Sequence, residues 1–318
     1  MGTYTVQHLH TDYSNTNGFA DSCTSFKDYI KLAKKQGMKA IAFSEHGNIG
    51  DWIKKKQECD KAGIKYIHGV ELYLCENLSD DDRGSHICMY ARNWDGVLEL
   101  NSLVSIASAK DDDETKRHLY YNPRISLDEL MSTSDNIIIT TACLASPLNR
   151  WDCPEKQEAF RKLVKWLKDN RHRCFLEVQY HNCDSQKQFN KKLSFYSKKT
   201  GIPLIVGTDT HSSNDYKADC RKILQKYKDS FYGEEDEFDL TWKTYDELVS
   251  AFKEQGVLTE DVYMKAIENT NVLADMVDDF TFDKAFKYPT LYGDNVREQW
   301  KQLIYSCFYY KLKHNMLK

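Results

Sequence analysis

Two histidines stand two residues apart in the opening stretch MGTYTVQHLHTDYSNT, at His8 and His10. Tyr4, Val6 and Leu9 around them read as a short strand. On a strand, positions i and i+2 share a face, so both imidazoles can aim at one point. Such a pair suits a divalent metal, although alone it is more often two polar residues at a strand end. The same spacing returns in GTDTHS, at Asp209 and His211. Glu71 interrupts the apolar run GVELY, where a buried carboxylate needs a partner or a metal. His46 in SEHG, His86 in SHICMYA and Cys143 in TTACLASP extend the set. Singly, His86 has a lesser reading as a satisfied polar residue, while Cys143 is more often a small buried hydrophobe. Together they are the ligand types of a metal cluster.

The elements that must position them alternate. Strands are expected at 4–9, 39–44, 65–74, 86–91, 136–141, 174–180 and 203–208, with helices at 24–36, 51–62, 95–108, 155–171 and 185–200. Gly37, Gly63 and Gly201 close three of these helices, each a few residues before a strand. Repeated βα units imply a largely parallel sheet, and about seven of them a closed, TIM-like (βα) barrel of the α/β class. In such a barrel the C-terminal strand ends converge on one face, which is where the candidate ligands fall. Beyond about 215 strand signals vanish, and helices are expected at 215–228, 244–255, 259–276 and 294–314. With the acidic stretch GEEDEFD (233–239) as separator, the pattern divides into a barrel at 1–230 and a helical extension at 240–318.

The 318 residues carry a net charge of −4. A protein holding nucleic acid through a broad basic surface would be more positive, so any contact with DNA should be local. No apolar run is long enough to span a membrane, and the first twenty residues hold no signal core, so a cytoplasmic location is expected. The ten cysteines are irregularly spaced and form no CxxC, which favours reduced thiols over a disulfide framework or a zinc finger.

HLHTDYS, SEHG, GVELY, SHICMYA, TTACLAS and GTDTH resemble, in order, the motifs of the PHP (polymerase and histidinol phosphatase) family. The chain is most similar to the PHP domain at the N-terminus of bacterial C-family DNA polymerases of the polymerase III alpha type. Later stretches, KTYDELVSAF, AIENTNVLADM and FKYPTL, resemble the segment leading into the palm of those polymerases. The resemblance implies a distorted seven-stranded barrel holding up to three divalent metals. It implies that His8, His10, Glu71 and Asp209 share one metal, with Glu71 bridging. His46 and His211 would serve a second, and His86 and Cys143 would complete a third with Glu71. The family pattern HxHxxxSxxDG places an aspartate where this chain has Asn17, and Asp21 is expected to supply the missing carboxylate.

Clustered divalent ions, here zinc, manganese or iron, activate water and clamp phosphoryl oxygens. Three such ions against Asp21, Glu71, Asp209 and thiolate Cys143 leave a local charge of about +2, which draws in phosphate. Asp209, His211 and Arg124 are the residues expected to take part directly, with Arg124 holding the phosphate or leaving group. Tyr120 and Tyr121 are candidates for base stacking, although packing explains a tyrosine pair equally well. Three readings stand at this point. The first is a 3′→5′ DNA exonuclease, acting on single-stranded DNA or a DNA 3′ end beside replication proteins. The second is a small-molecule phosphomonoesterase like histidinol phosphatase. The third is a non-catalytic polymerase scaffold. Beyond 240 the chain lacks the glycine-rich loop and paired carboxylates of a polymerase palm, so polymerisation within these residues is not expected.

Overall fold

The computed structural model describes residues 2–15, 20–110, 117–229, 238–283, 285 and 293–316. Asn17, the stretch FKYPTL (286–291) and most of GEEDEFD lie outside the described residues. The first half runs α1 (Phe26–Lys35), β1 (Ala40–Phe43), α2 (Trp52–Ala62), β2 (Lys65–Cys75), β3 (Ser85–Ala91), α3 (Trp94–Ala107), β4 (Leu119–Tyr120) and β5 (Asn122–Ser126). It continues through α4 (Leu127–Met131), β6 (Ile137–Thr140), α5 (Pro147–Arg150), α6 (Gln157–Asp169), β7 (Cys174–Val178), α7 (Asp184–Thr200) and β8 (Leu204–Val206). Four helices follow: α8 (Asp215–Tyr227), α9 (Tyr245–Gln255), α10 (Glu260–Asp275) and α11 (Val296–Lys313).

The strands form one curled mixed sheet in the order β4-β5-β2-β3-β6-β7-β8, with β1 also on β2. Pairings β1–β2, β2–β5, β6–β7 and β7–β8 are parallel. β3 runs antiparallel to both β2 and β6, which corrects the largely parallel expectation. The reason is local: β2 passes to β3 with no crossover helix between, and a direct return forces antiparallel pairing. β1, β6, β7 and β8 are buried on both faces, as the interior of a layered α/β fold requires.

The stretch expected as a first strand pairs only through isolated bridges, Val6 with Ile41 and Leu9 with Thr210. Its backbone nevertheless joins both ends of the curl. Val6 and Leu9 accept from Ala42 and Ser44, while His10 donates to the Thr210 carbonyl at 2.8 Å. His8 and His10 are thereby fixed between β1 and the segment that carries Asp209 and His211.

The structure divides the chain later than the sequence pattern does, into units 1–280 and 281–318. Helices α9 and α10 belong to the first. Thr244 and Glu247 form a reciprocal capping box that starts α9, and Gly256 ends it in a left-handed turn. α10 buries Tyr263, Ala266, Ile267, Leu273 and Ala274. Asn269 on this helix donates to the Leu204 carbonyl at 2.6 Å, and Thr270 accepts from the Thr5 amide at 2.9 Å. Replacing Asn269 by Ala should therefore strand a buried β8 carbonyl. The expected loss is about 1–3 kcal/mol in urea denaturation followed by circular dichroism. An unchanged midpoint would mean that α10 does not hold the barrel.

Candidate metal centre

Eight of the nine expected ligands gather at the C-terminal end of the sheet around Glu71, and the ninth, Cys143, reaches the group through His86. The ring nitrogens of His8 and His10 lie 3.4 and 3.6 Å from the Glu71 carboxylate. His46 Nδ1 and His86 Nδ1 approach it at 2.6 and 2.9 Å. Asp209 Oδ1 sits 3.2 Å from His8 Nε2 and 3.3 Å from His10 Nε2. On the other side Asp21 Oδ2 is 2.9 Å from His46 Nε2 and 3.1 Å from His211 Nε2. The His10 ring stacks between His46 and His211, with centroids 4.1 and 4.4 Å away. Four sets of ligand atoms lie within 4.8 Å of one another: His10–Asp21–His46–His211, His8–His10–Asp209, His46–Glu71–His86 and His8–Glu71–Cys88. Cys143 Sγ stands 3.6 Å from His86 Nδ1.

The donor set fits divalent cations, and its own hydrogen bonding shows why. Both Glu71 oxygens, Asp21 Oδ2, His46 Nδ1, and the Nε2 atoms of His8, His10 and His211 are buried without an aligned hydrogen-bond partner. Buried polar atoms without partners are rare, and here seven point at one space. The opposite edges of the rings are well held. His8 Nδ1 donates to Glu177 at 2.6 Å, His10 Nδ1 to Ser14 Oγ at 3.0 Å, and His211 Nδ1 to the Asp209 carbonyl at 2.7 Å. Each bond directs the ring's Nε2 inward, as the supporting groups of a metal ligand do.

Charge inside the cluster is strongly coupled. Burial pushes the Glu71 carboxyl up, but His86, His46 and His8 outweigh it and hold it well below the usual range. Burial likewise opposes ionisation of Asp21, and His211 and His46 reverse the sign. Burial disfavours charge on His8, yet Asp209 raises it well above 6.5; His46 and His211 are raised despite burial by neighbours that include Asp21. His10 falls to about 4 through burial and the charges of His46 and His211. Asp209 adopts φ 46° and Ala142, beside Cys143, φ 55°. Such left-handed backbone at non-glycine residues marks strain held at a site.

Several supporting residues escaped the sequence reading. Glu177, fully buried, also accepts from Thr140 at 2.9 Å, Gln179 at 3.0 Å and Gln7 at 3.2 Å. A Cβ at Gly207 would lie 1.8 Å from its carboxylate, so only glycine fits there. Glu45, held by Lys55 and Thr11, accepts from Ser14 and so supports His10. Arg221 grips Asp21 through both its carbonyl and its carboxylate, at 2.6 and 3.2 Å. Cys88 joins His8 and Glu71, with its thiol pushed up to about 12 by burial.

Arg124 is not brought to the cluster. Its guanidinium is fully buried and donates to the carbonyls of Leu78, Asp80, Asp82 and Arg117. A cation enclosed in this way ties down the 78–82 loop and offers nothing to a phosphate. The tyrosine pair also divides. Tyr120 packs under Arg117 and Arg124, while Tyr121 is exposed.

Residues 7–181, more than half of the chain, match the family profile of the PHP domain. The chain belongs to the PHP domain family. It is 32% identical over 281 residues to DNA polymerase III subunit alpha of Borreliella burgdorferi, covering 86% of this chain and 23% of that protein. It is 27% identical over 319 residues to the same subunit of Helicobacter pylori strain J99, covering 92% of this chain and 25% of that protein. This PHP chain thus spans about a quarter of the length of the curated relatives it matches. The structure of an amidohydrolase from Chromobacterium violaceum, with sulfate bound and no metal, aligns with a TM-score of 0.41 at 14% identity. That alignment covers 67% of this chain and 89% of that one.

Two outcomes are expected of this PHP centre. Glu177→Gln, which frees the His8 ring, should lower zinc or manganese affinity about 10–100-fold in a competitive chelator titration. Unchanged affinity would remove Glu177 from the support of the site. Metal uptake should also release protons. His8, His46 and His211 have raised values, so the stability of their ion pairs is present below 6.5 and lost as pH rises through those values. A cation replaces those protons, so the rise in melting temperature on adding Zn²⁺ or Mn²⁺ should be larger at about pH 8.5 than at about pH 6. Equal rises at both would contradict this coupling.

Proposed function

We propose that this chain is a metal-dependent phosphodiesterase that trims the 3′ end of single-stranded DNA, as part of or beside a C-family replicative polymerase. The observation that carries the reading is the convergence on one space of seven buried polar atoms that lack an aligned hydrogen-bond partner. The likeness to DNA polymerase III alpha subunits supports the DNA context.

His8, His10, Glu71 and Asp209 would hold one ion, His46, Asp21 and His211 a second, and His86, Cys143 and Glu71 a third. Zinc, manganese and iron all suit this mixture of imidazole, carboxylate and thiolate. Bound divalent ions supply a water acidified toward neutrality and neutralise charge on a phosphodiester under in-line attack. The chain's residues do the rest. Glu71, approached from four sides by imidazoles, keeps the ligand groups at a common centre. Glu177, Ser14 and the Asp209 carbonyl fix three rings so that none turns its N–H inward. Arg221 holds Asp21 against the like charge of the other carboxylates. The filled centre is locally positive by about +2, so the phosphate is drawn to it although the chain as a whole carries −4.

A 5′-labelled single-stranded oligonucleotide incubated with the Mn²⁺- or Zn²⁺-loaded protein should give a descending ladder. Asp209→Ala should slow it by about 100-fold or more, beyond the effect of losing a supporting residue. No ladder from loaded wild type, or turnover of histidinol phosphate alone, would overturn the proposal.

A further inference from the structure

We infer that Tyr121 and Arg83 form a stacking platform for an unpaired nucleotide at the rim of the metal cluster; this deepens the DNA reading above and rests on it. Tyr121 is 62% exposed and holds φ 60°, a left-handed conformation that a non-glycine residue keeps only when its surroundings impose it. Tyr121 is the single residue that turns β4 back into β5, where Tyr120 pairs with Asn122. Tyr120 is packed beneath Arg117 and Arg124, with its ring centroid 4.6 and 4.9 Å from the guanidinium carbons. The Tyr121 ring meets the Tyr120 ring edge-on at 4.8 Å and 84°. The packed tyrosine thus serves as a fixed wall, and the exposed one stands out from it. The Arg83 guanidinium lies over the Tyr121 ring, 4.5 Å from its centroid.

The platform is tied to the cluster through backbone. Asn122 donates to the Arg83 carbonyl at 3.1 Å, so the two halves are held together. Pro123 abuts Gly47, the residue after His46: a Cβ there would come within 2.8 Å of the proline ring. Arg124 pairs in register with Tyr73, whose ring meets His86 edge-on at 5.1 Å. The segments that carry Tyr121 and Arg83 therefore adjoin those that carry His46 and His86. Among the described residues, Asp80, Asp81 and Asp82 precede Arg83 in the chain, and each has a partner of its own. Asp80 accepts from the Asn77 amide, Asp81 from Arg117 and Asp82 from Lys156.

An exposed aromatic plane beside a planar cation is the chemistry that holds unpaired bases without reading their sequence. The ring supplies a stacking face, and the guanidinium reaches the adjoining phosphodiester. In a duplex both faces of each base are already covered by neighbours, so the platform selects a single strand of DNA.

The test is fluorescence anisotropy with metal-loaded protein and a 5′-labelled oligo-dT whose 3′ linkages are phosphorothioates, beside a blunt duplex of equal length. Tyr121→Ala should weaken single-strand binding about tenfold, Tyr121→Trp should keep it, and Arg83→Ala should weaken it. Duplex binding should be the same for all four proteins. Equal single-strand binding by wild type and Tyr121→Ala overturns the inference. So does an equal loss on single strand and duplex, and so does a wild type that binds neither. Binding is read without cleavage. Tyr121-dependent binding with no ladder would keep the platform and dismiss the nuclease, while a ladder without Tyr121-dependence would do the reverse.

Discussion

Glu71 is the constraint on which the site depends. Its carboxylate is completely buried in β2, with imidazoles at 2.6 to 3.6 Å and no donor aligned on either oxygen. A lone carboxylate removed from water costs roughly several kcal/mol unless compensated. Three of those histidines, His86, His46 and His8, compensate it here through charge rather than through oriented hydrogen bonds. That arrangement suits a centre whose ligands must each offer a lone pair to a cation between them.

The surrounding structure serves to keep those lone pairs facing inward. Glu177 under His8, the Ser14–Glu45 pair under His10 and the Asp209 carbonyl under His211 each take the outward ring hydrogen. The barrel makes room for this second layer, most visibly at Gly207, which leaves space for the Glu177 carboxylate and no more. The N-terminal segment forms only isolated bridges, yet it carries two of the candidate ligands. A regular strand there would pair more fully; the irregular one brings His8 and His10 against both β1 and the Asp209 segment.

Much of this was legible in the sequence, because several candidate ligands, Glu71, His86 and Cys143 among them, sit within or just beyond strands whose apolar runs are hard to mistake. The strands at 40–43, 65–75, 85–91, 137–140, 174–178 and 204–206 fall where the pattern puts them. Short β4 and β5 were hidden in YYNPRIS, where a proline and single-residue spacing mask pairing. The direction of β3 was hidden as well, since an apolar run does not say which way it pairs. The stripes of α9 and α10 were visible, but a stripe does not name the surface it covers, so their packing within unit 1–280 was not legible. Arg124 read as a cation for the phosphate because sequence carries no sign of the four carbonyls it bonds. Glu177 in CFLEV repeats the signal of Glu71 in GVELY, a carboxylate inside an apolar run, and that signal was there to be used.

The proposed chemistry requires divalent cations in the space around Glu71. The most direct measurement is anomalous diffraction from crystals grown with Mn²⁺ or Zn²⁺, recorded on both sides of the metal's absorption edge. Anomalous peaks are expected between Glu71 and Asp209 and between Asp21 and His46, with His8, His10 and His211 Nε2 atoms directed at them. A crystal with no anomalous peak there, and with imidazoles still paired directly to the Glu71 carboxylate at 2.6 to 3.6 Å, would contradict that chemistry.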